Sequence, residues 1–341
     1  MISFIKACGK APLTWAAAQF GRHKRDSSEP HLWVLMYHRI LPVSDPRYLA
    51  EEPGMIVEPE TFRQQLQSLK QLMPIMPLQQ WLDRFEQGLP LPPRACAITF
   101  DDGWADNFEY AYPIIEQQQV PATLFAVSDM IGTTRQFWPN QLNHLLAHAG
   151  IEQLQSLGWL KQWLPSEAAL GNNNQQSLNR EQIAEVIRQI KHHPDDKISR
   201  WLSDAEQQLA ISAPEAPALM SWQQLKTMAA SDYMDIGSHT CNHYRLRSDL
   251  DPATTEHEIV ASKQRLEDEL QQPVALFCYP NGDTSALAVE LVKKHYQAAV
   301  TTQRGINTFS GLQAHQLLRV GLHQDISNSR SKLQARLANW F

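Results

Sequence analysis

Three features that would point to particular classes of protein are scarce in the sequence: paired cysteines, long basic clusters and long apolar runs. The four cysteines among 341 residues lie far apart and form no C-x-x-C pattern, so nothing in them requires an oxidising compartment. Two of them, Cys96 and Cys278, lie in apolar stretches, where a buried free thiol is the usual outcome. We therefore expect these two thiols to be free.

The shortage of basic clusters argues against nucleic acid as the main partner. The chain has 30 basic and 36 acidic side chains, a net charge of −6, and no basic cluster longer than Arg22-His23-Lys24-Arg25. Proteins that bind nucleic acid neutralise several phosphates at once and concentrate Lys and Arg on one face. We expect a different class of partner.

Apolar runs are too short for a membrane-spanning helix, which needs about 18 or more consecutive apolar residues. Residues 1–20 combine Lys6 and Lys10 with a short Ala-rich segment, and they resemble a signal peptide only weakly because no clear cleavage site follows. Basic and apolar residues mixed in this way could instead form a helix that lies on a membrane surface. We predict a cytoplasmic protein whose N-terminal segment, residues 1–30, could contact a membrane.

The most informative stretch is the apolar run Ala97-Ile98-Thr99-Phe100, which ends in Asp101, Asp102 and Gly103. Such a run predicts a buried strand that delivers two carboxylates to a loop. Ligands of parallel α/β folds bind where strands end at their carboxyl side, so the aspartates are candidates for metal binding or proton transfer. The alternative is an ordinary turn, since Asp and Gly are also favoured there for local reasons.

A second apolar run, from Met234 to Ser238, ends in His239, and His243 follows four residues later. One helical turn would place both imidazoles on the same face, with Cys241 pointing away from it. Two imidazoles and one carboxylate, with a position left for water, form a catalytic metal set. The alternative for this pair is two polar surface histidines.

The remaining pattern alternates predicted strands and helices, which implies right-handed parallel crossovers. Strands are predicted at 31–38, 121–127, 274–279, 298–301 and 317–320, and helices from 61 and at 79–87, 107–119, 222–230, 255–270, 287–296 and 329–341. The last helix should bury Leu333, Leu337 and Trp340. Trp104 and Asp106 could line the mouth of a site, although packing is favoured for Trp104.

Residues 132–217 depart from this alternation, because they predict long helices rich in Gln and Leu. We interpret them as a helical region inserted into the α/β fold. Its aromatic residues could form a lid or the core of the insertion, and the core is favoured because helices need an apolar stripe in order to pack. These residues are Phe137, Trp138, Trp159 and Trp163.

Thr99-Phe100-Asp101-Asp102-Gly103 together with His239-x-x-x-His243 resembles the polysaccharide deacetylases of the NodB-homology type, carbohydrate esterase family 4. Met36-Tyr37-His38-Arg39-Ile40 and Tyr279-Pro280-Asn281-Gly282 also match, and the resemblance covers roughly residues 32 to 325. It implies an α/β fold: a distorted (β/α) barrel over residues 31–341, interrupted by the insertion at about 132–217. It also implies a metal-dependent hydrolase of carbon–nitrogen bonds other than peptide bonds, which removes N-acetyl groups from an amino sugar in a polysaccharide or its precursor.

Residue by residue, the resemblance implies that Asp102, His239 and His243 hold a divalent metal, zinc or otherwise cobalt or nickel. Asp101 would be the general base, and His323 is the best match to the family's general acid. The backbone N–H of Asn281 would stabilise the oxyanion, a role that any residue except proline can fill.

The chain departs from the family pattern at two positions. The family usually has Arg where this chain has Cys278, and Tyr where it has Asn281. We expect Arg319, at another strand end, to orient Asp101 in place of the missing guanidinium, and His38 could also contact the aspartates. These departures leave two alternatives open: a non-catalytic carbohydrate-binding or assembly protein on the same fold, or a hydrolase of another linear amide.

Overall fold

Short runs of small and branched apolar residues form the strands of a closed parallel barrel in the computed structural model, which describes residues 12–25, 27–49, 51–165, 178–211 and 216–340. The strands are β1 (His31–Tyr37), β2 (Arg39–Ile40), β3 (Ile56–Val57), β4 (Arg94–Phe100), β5 (Ala122–Ala126), β6 (Met234–Ser238), β7 (Leu276–Cys278), β8 (Ala298–Arg304), β9 (Asn307–Thr308) and β10 (Leu317–Gly321). Seven of them are ordered β1-β4-β5-β6-β7-β8-β10, and β10 pairs with β1 to close the ring. The predicted α/β barrel is confirmed.

Helices surround this barrel and follow most of its strands. They span residues 12–20, Pro59–Leu72, Leu78–Glu86, Tyr112–Gln118, Trp222–Ala229, Pro252–Leu270, Ala286–His295, Gln324–Ser327 and Arg330–Ala338. No helix in the described ranges is both long enough and apolar enough to span a bilayer. Residues 1–11, on which part of the prediction for the N-terminal segment rests, lie outside the described residues.

The two faces of the barrel strands pack against different partners. Leu32 and Val34 of β1 join Ala95 and Ala97 of β4 in one buried cluster. The intervening Trp33 packs on the other face, where its indole N–H donates to the Leu337 carbonyl of the last helix at 2.8 Å. Strands covered on both faces explain the near-continuous apolar runs in the sequence.

Strand register brings the ends of β4 and β6 to one edge of the barrel. β1 and β4 pair from His31↔Arg94 to Tyr37↔Phe100. β5 and β6 pair in the same direction, and there Gly237 lies opposite Phe125. A Cβ atom on Gly237 would lie 2.5 Å from the Phe125 ring, so only glycine allows this close approach.

Three details differ from the sequence-based prediction. Residues 107–119 are not one helix: the π-helical segment Asn107–Ala111 precedes the α-helix Tyr112–Gln118, because Pro113 has no N–H and suits only a first helical turn. Trp340 is 46% exposed, so its predicted burial is wrong, whereas Leu333 and Leu337 are buried. The short strands β2, β3 and β9 were not predicted.

A second compact unit comprises Pro46–Glu52 and Thr134–Ala218. Its helices span Trp138–His148, Ile151–Ser156, Arg180–Ile190 and Asp195–Leu209. Trp138, Trp159 and Trp163 pack against its buried cluster of Leu and Ile side chains, and Trp159 stacks on Trp201 with ring centroids 5.1 Å apart. Phe137 is buried as well. These aromatic residues pack as core, the reading that the sequence favours.

Candidate active site

The candidate site lies in the loops that follow β4 and β6. Asp101 and Asp102 come directly after β4, and His239 directly after β6. Backbone hydrogen bonds extend beyond the strands at both places. Asp101 N–H donates to the Tyr37 carbonyl at 3.0 Å, and His239 N–H donates to the Ala126 carbonyl at 2.9 Å. Because the strands are parallel, their functional residues emerge at the same edge of the barrel.

Left-handed backbone conformations concentrate in these loops. Eight non-glycine residues of the described ranges have positive φ, and four of these end helices. The other four follow β4, β6 and β7: Asp102 (79°), Thr240 (67°), His243 (60°) and Asn281 (58°). Such conformations cost about 1–3 kcal/mol each and persist where the surrounding structure imposes them, typically at functional sites.

The predicted helical turn from His239 to His243 is wrong, since Thr240 and His243 have positive φ and the segment is an irregular loop. The two imidazoles nevertheless meet, with ring centroids 4.9 Å apart. Cys241 lies between them in sequence but packs elsewhere, with Sγ 3.7 Å from the His257 carbonyl. The loop therefore places the pair as predicted through a different backbone path.

Asp102 joins the two histidines. Its Oδ1 lies 3.3 Å from Nε2 of His239 and 3.4 Å from Nε2 of His243. One ligand atom from each of the three residues lies within 4.8 Å of the others. Asp102 and His239 are buried, whereas His243 is partly exposed. The arrangement leaves an accessible side, as a catalytic metal site requires.

A second contact fixes the orientation of His239. Its Nδ1 lies 2.7 Å from the Cys278 carbonyl, which can only accept a hydrogen bond, so Nδ1 carries the proton. In the neutral ring this leaves the Nε2 lone pair facing Asp102 and His243. Metal-binding histidines are held in this way in most proteins.

Burial and charge set the protonation of the imidazoles. Burial opposes the charged form of His239, but Cys278 and Asp102 raise its pKa well above the ordinary value. Burial lowers the pKa of His243 to about 3. Without a metal, the proton of this group therefore resides on His239, next to the ionised Asp102.

Trp104 and Asp106 do not line the mouth of the site. Both are buried, and the Trp104 indole N–H donates to Oδ2 of Asp102 at 2.8 Å. Arg39 lies over the indole at 4.1 Å and forms an ion pair with Asp106 at 2.7 Å. Sequence reasoning missed this support. The only local sign of these contacts in the sequence is the tryptophan two residues after Asp102.

Arg319 takes the place of the guanidinium that Cys278 lacks, as predicted. Its Nη1 and Nη2 lie 2.7 Å from Oδ1 and Oδ2 of Asp101, a bidentate pair that is completely buried. Nη2 also lies 3.3 Å from the Cys278 sulfur, and Nε donates to the Thr301 carbonyl at 2.7 Å. Burial opposes ionisation of Asp101, but Arg319 lowers its pKa below the ordinary value. Asp101 is therefore a carboxylate at neutral pH.

Three further predicted residues lie in neighbouring loops. His38 Nε2 is 3.7 Å from Oδ2 of Asp101. His323 follows β10 and is partly exposed, with Nδ1 3.6 Å from Oδ2 of Asp325; burial lowers its pKa. Asn281 is exposed in the turn after β7, and its side chain donates to Asp283 at 2.9 Å. Their catalytic roles stay predictions.

Within the described residues, two other groups also gather three ligand atoms within 4.8 Å. Asp101, His239 and Cys278 form one, and Asp129, Cys241 and His257 form the other. Arg319 already neutralises Asp101 in the first group. In the second, burial raises the pKa of the Cys241 thiol to about 12, which disfavours the thiolate that would bind a metal. Asp102, His239 and His243 therefore suit a cation best.

Comparisons with known proteins agree with this geometry. The family model for polysaccharide deacetylases matches residues 89–300. The YxkH protein of Bacillus subtilis is 34% identical over 58 residues, a segment that spans only 21% of that protein and 17% of this chain.

Two solved structures share the fold. Streptococcus pyogenes deacetylase PplD, in complex with acetate, has a TM-score of 0.57 and 19% identity over 91% of this chain and 99% of its own. IcaB from Ammonifex degensii has a TM-score of 0.57 and 19% identity over 92% of this chain and 98% of its own. The family model covers more than half of the sequence and includes both aspartates and both histidines. The chain therefore belongs to the polysaccharide deacetylase family, whose enzymes hydrolyse carbon–nitrogen bonds other than peptide bonds.

Proposed function

We propose that this protein is a metal-dependent deacetylase that removes acetyl groups from N-acetylated amino sugars in a polysaccharide or its lipid-linked precursor. The observation that carries the proposal is the juxtaposition of two units: the trio Asp102, His239 and His243, and the adjacent Asp101 carboxylate held by Arg319. Asp102 can bind a cation and Asp101 can accept a proton, so the two adjacent aspartates have different roles.

The donor set suits a divalent metal. One carboxylate and two imidazoles are ligands that zinc, cobalt and nickel all accept, and we propose zinc. When bound there, such an ion polarises the acetyl carbonyl and makes water acidic near neutral pH. Trp104 and the Cys278 carbonyl hold two of the three ligands in orientation.

The chain's own residues supply the proton transfers. Asp101, ionised beside Arg319, accepts a proton from the attacking water. The Asn281 N–H donates to the oxyanion that forms on the acetyl oxygen. His323 takes up a proton from solvent and donates it to the leaving amine. The PplD structure was solved with acetate, which is the product that this reaction would release.

The test is acetate release from a panel of N-acetylglucosamine polymers and lipid-linked N-acetyl amino sugars. Chelation should abolish release and Zn²⁺, Co²⁺ or Ni²⁺ should restore it; activity that survives exhaustive chelation would contradict metal dependence. Asp101→Asn should lose release while keeping its metal, whereas a carbohydrate-binding protein would lose nothing.

The position of the metal is tested by matched histidine variants. His239→Ala should contain no metal after dialysis. His257→Ala, in the group formed by Asp129, Cys241 and His257, should keep one equivalent. Full metal content in His239→Ala would place the ion elsewhere and refute the assignment.

A further inference from the structure

The helix over residues 12–20 presents its large apolar side chains to solvent. Its buried side chains are small: Ala17 and Ala18 are buried, and Ala17 packs with Ala335 and Ala338 of the last helix. Its large apolar side chains are instead exposed, Leu13 by 57%, Trp15 by 59% and Phe20 by 54%. A helix that served only to stabilise the fold would bury its large apolar residues and expose its alanines.

The two exposed aromatic rings form one surface. Trp15 and Phe20 contact each other edge to face, with ring centroids 6.1 Å apart. Trp340, beyond the helix against which Ala17 packs, is another exposed aromatic residue. Large rings that remain in water while alanines are buried indicate a surface that has a partner.

Exposed cationic side chains directly follow this aromatic surface along the chain. Arg22, Lys24 and Arg25 are exposed, and Lys24 Nζ lies 3.3 Å from Oε1 of Gln19, on the same helix as the two rings. The first 25 residues contain five Lys and Arg side chains and no Asp or Glu. The other 25 basic and all 36 acidic side chains, a net charge of −11, follow position 25.

We propose that the face formed by Trp15, Phe20, Arg22, Lys24 and Arg25 docks the protein on an anionic lipid bilayer. Trp and Phe rings partition into the headgroup region of a membrane, and nearby cations add attraction to anionic lipids. The strongly acidic remainder of the chain is repelled by the same lipids, so this face meets the surface first. A second copy of the chain fits less well, because a two-fold contact would bring the same cations together.

Binding of the full chain to vesicles tests the proposal. Affinity for vesicles of 60% phosphatidylcholine and 40% phosphatidylglycerol should exceed affinity for pure phosphatidylcholine at least tenfold, and it should fall when NaCl is raised from 0.05 to 0.5 M. The double variant W15S/F20S should lose at least tenfold in affinity. Arg22→Gln, Lys24→Gln and Arg25→Gln combined should lose about a hundredfold, since each cation near such a surface contributes about fivefold.

The matched control is L89S/L287S, which removes two other exposed leucines and should bind like the wild type. Equal affinity for both kinds of vesicle, or undiminished binding by W15S/F20S, would overturn the proposal. So would a dimer that W15S/F20S converts to a monomer in sedimentation, because a second copy would then cover the rings. Acetate release from soluble oligosaccharides should be the same in W15S/F20S and wild type, so this test is independent of the proposed function.

Discussion

The Asp101–Arg319 ion pair shows how two single-residue changes can be complementary. Cys278 is small enough to leave space beside Asp101, and the guanidinium of Arg319 fills that space from a different strand, within 3.3 Å of the Cys278 sulfur. Arg at position 278 would compete for the same volume. The family motif is thus altered in sequence while a guanidinium still holds the carboxylate.

Replacing Arg319 with Met should leave the Asp101 carboxylate buried without its charge partner. Such breakage costs about 3–5 kcal/mol of unfolding free energy, which denaturant titration can measure. Acetate release should fall about a hundredfold or more, because Asp101, the proposed general base, is no longer fixed.

The positioning role of Arg319 predicts a rescue. Cys278→Arg in the Arg319→Met background returns a guanidinium to the space beside Asp101 and should recover part of both losses. If the double variant is no more stable and no more active than Arg319→Met, the strand that supplies the guanidinium matters as much as its charge.

Trp104→Phe should weaken metal binding about 10- to 100-fold, the usual effect of removing a hydrogen bond that orients a metal-binding side chain. The ring keeps most of its packing, but Asp102 loses the indole donor. Competition against a chelator of known affinity measures the change. Trp33→Phe is the control, since it removes a buried indole hydrogen bond to Leu337 and should leave metal affinity unaltered.

The sequence predicts these residues unequally. Asp102, His239 and His243 stand next to recognisable strand ends, and Arg319 could be inferred from a gap in the family motif. The Arg39–Asp106 pair was not predicted, because nothing in the sequence linked these two residues, which are 67 positions apart. Trp104 was correctly favoured as a packing residue. Its hydrogen bond to Asp102 was not predicted, because Asp102 has a positive φ that the neighbouring residues do not indicate.

At the level of elements, the helices and barrel strands follow from apolar periodicity, and most were predicted within a few residues. The loop after β6 was not, because its path depends on left-handed conformations at Thr240 and His243. Non-glycine residues adopt these only when tertiary contacts impose them. The functional loops are therefore the elements whose backbone sequence reasoning predicts least well.

β6 offers a test of how closely the strands must pack. Gly237→Ala would place a methyl group 2.5 Å from the Phe125 ring, on the strand that ends at His239. Overpacking of this kind should cost about 1–3 kcal/mol of unfolding free energy and lower acetate release by displacing the histidine. Gly54→Ala is the control, because a Cβ there meets no atom within 4 Å. Equal denaturation midpoints for the two variants would contradict the tight fit.

For the whole molecule, alternating strands and helices predicted parallel crossovers, and the family resemblance predicted that they form a barrel. They did not predict how the ring closes, because the β1–β10 pairing joins segments almost 300 positions apart. The change in composition near residue 132 predicted a helical region, and by its contacts the chain divides into two compact units, of which the second also includes Pro46–Glu52. The precise boundaries of the helical region depend on side-chain packing, which cannot be predicted from composition.

Global stability should depend on pH through His23. Burial, followed by the charge of Lys24, lowers the pKa of this histidine to about 4, against 6.5 for an exposed ring. The unfolded chain therefore binds more protons between these values, so the free energy of unfolding should fall by roughly 2 kcal/mol as pH drops from 6.5 to 4. Denaturant titrations at several pH values measure the free energy of unfolding of wild type and His23→Leu. In the variant, this free energy should fall by roughly 2 kcal/mol less between pH 6.5 and 4. Parallel pH profiles would refute the assignment to His23.

The ion pair at the centre of the site also sets an order of events during synthesis. Asp101 leaves the ribosome 218 residues before Arg319, which at translation rates of up to about 20 residues per second means a wait of roughly ten seconds or more. Until β10 is made, Asp101 lacks the guanidinium that neutralises it in the complete fold. We therefore expect the Asp101 carboxylate to be held in position only after β10 has joined the ring.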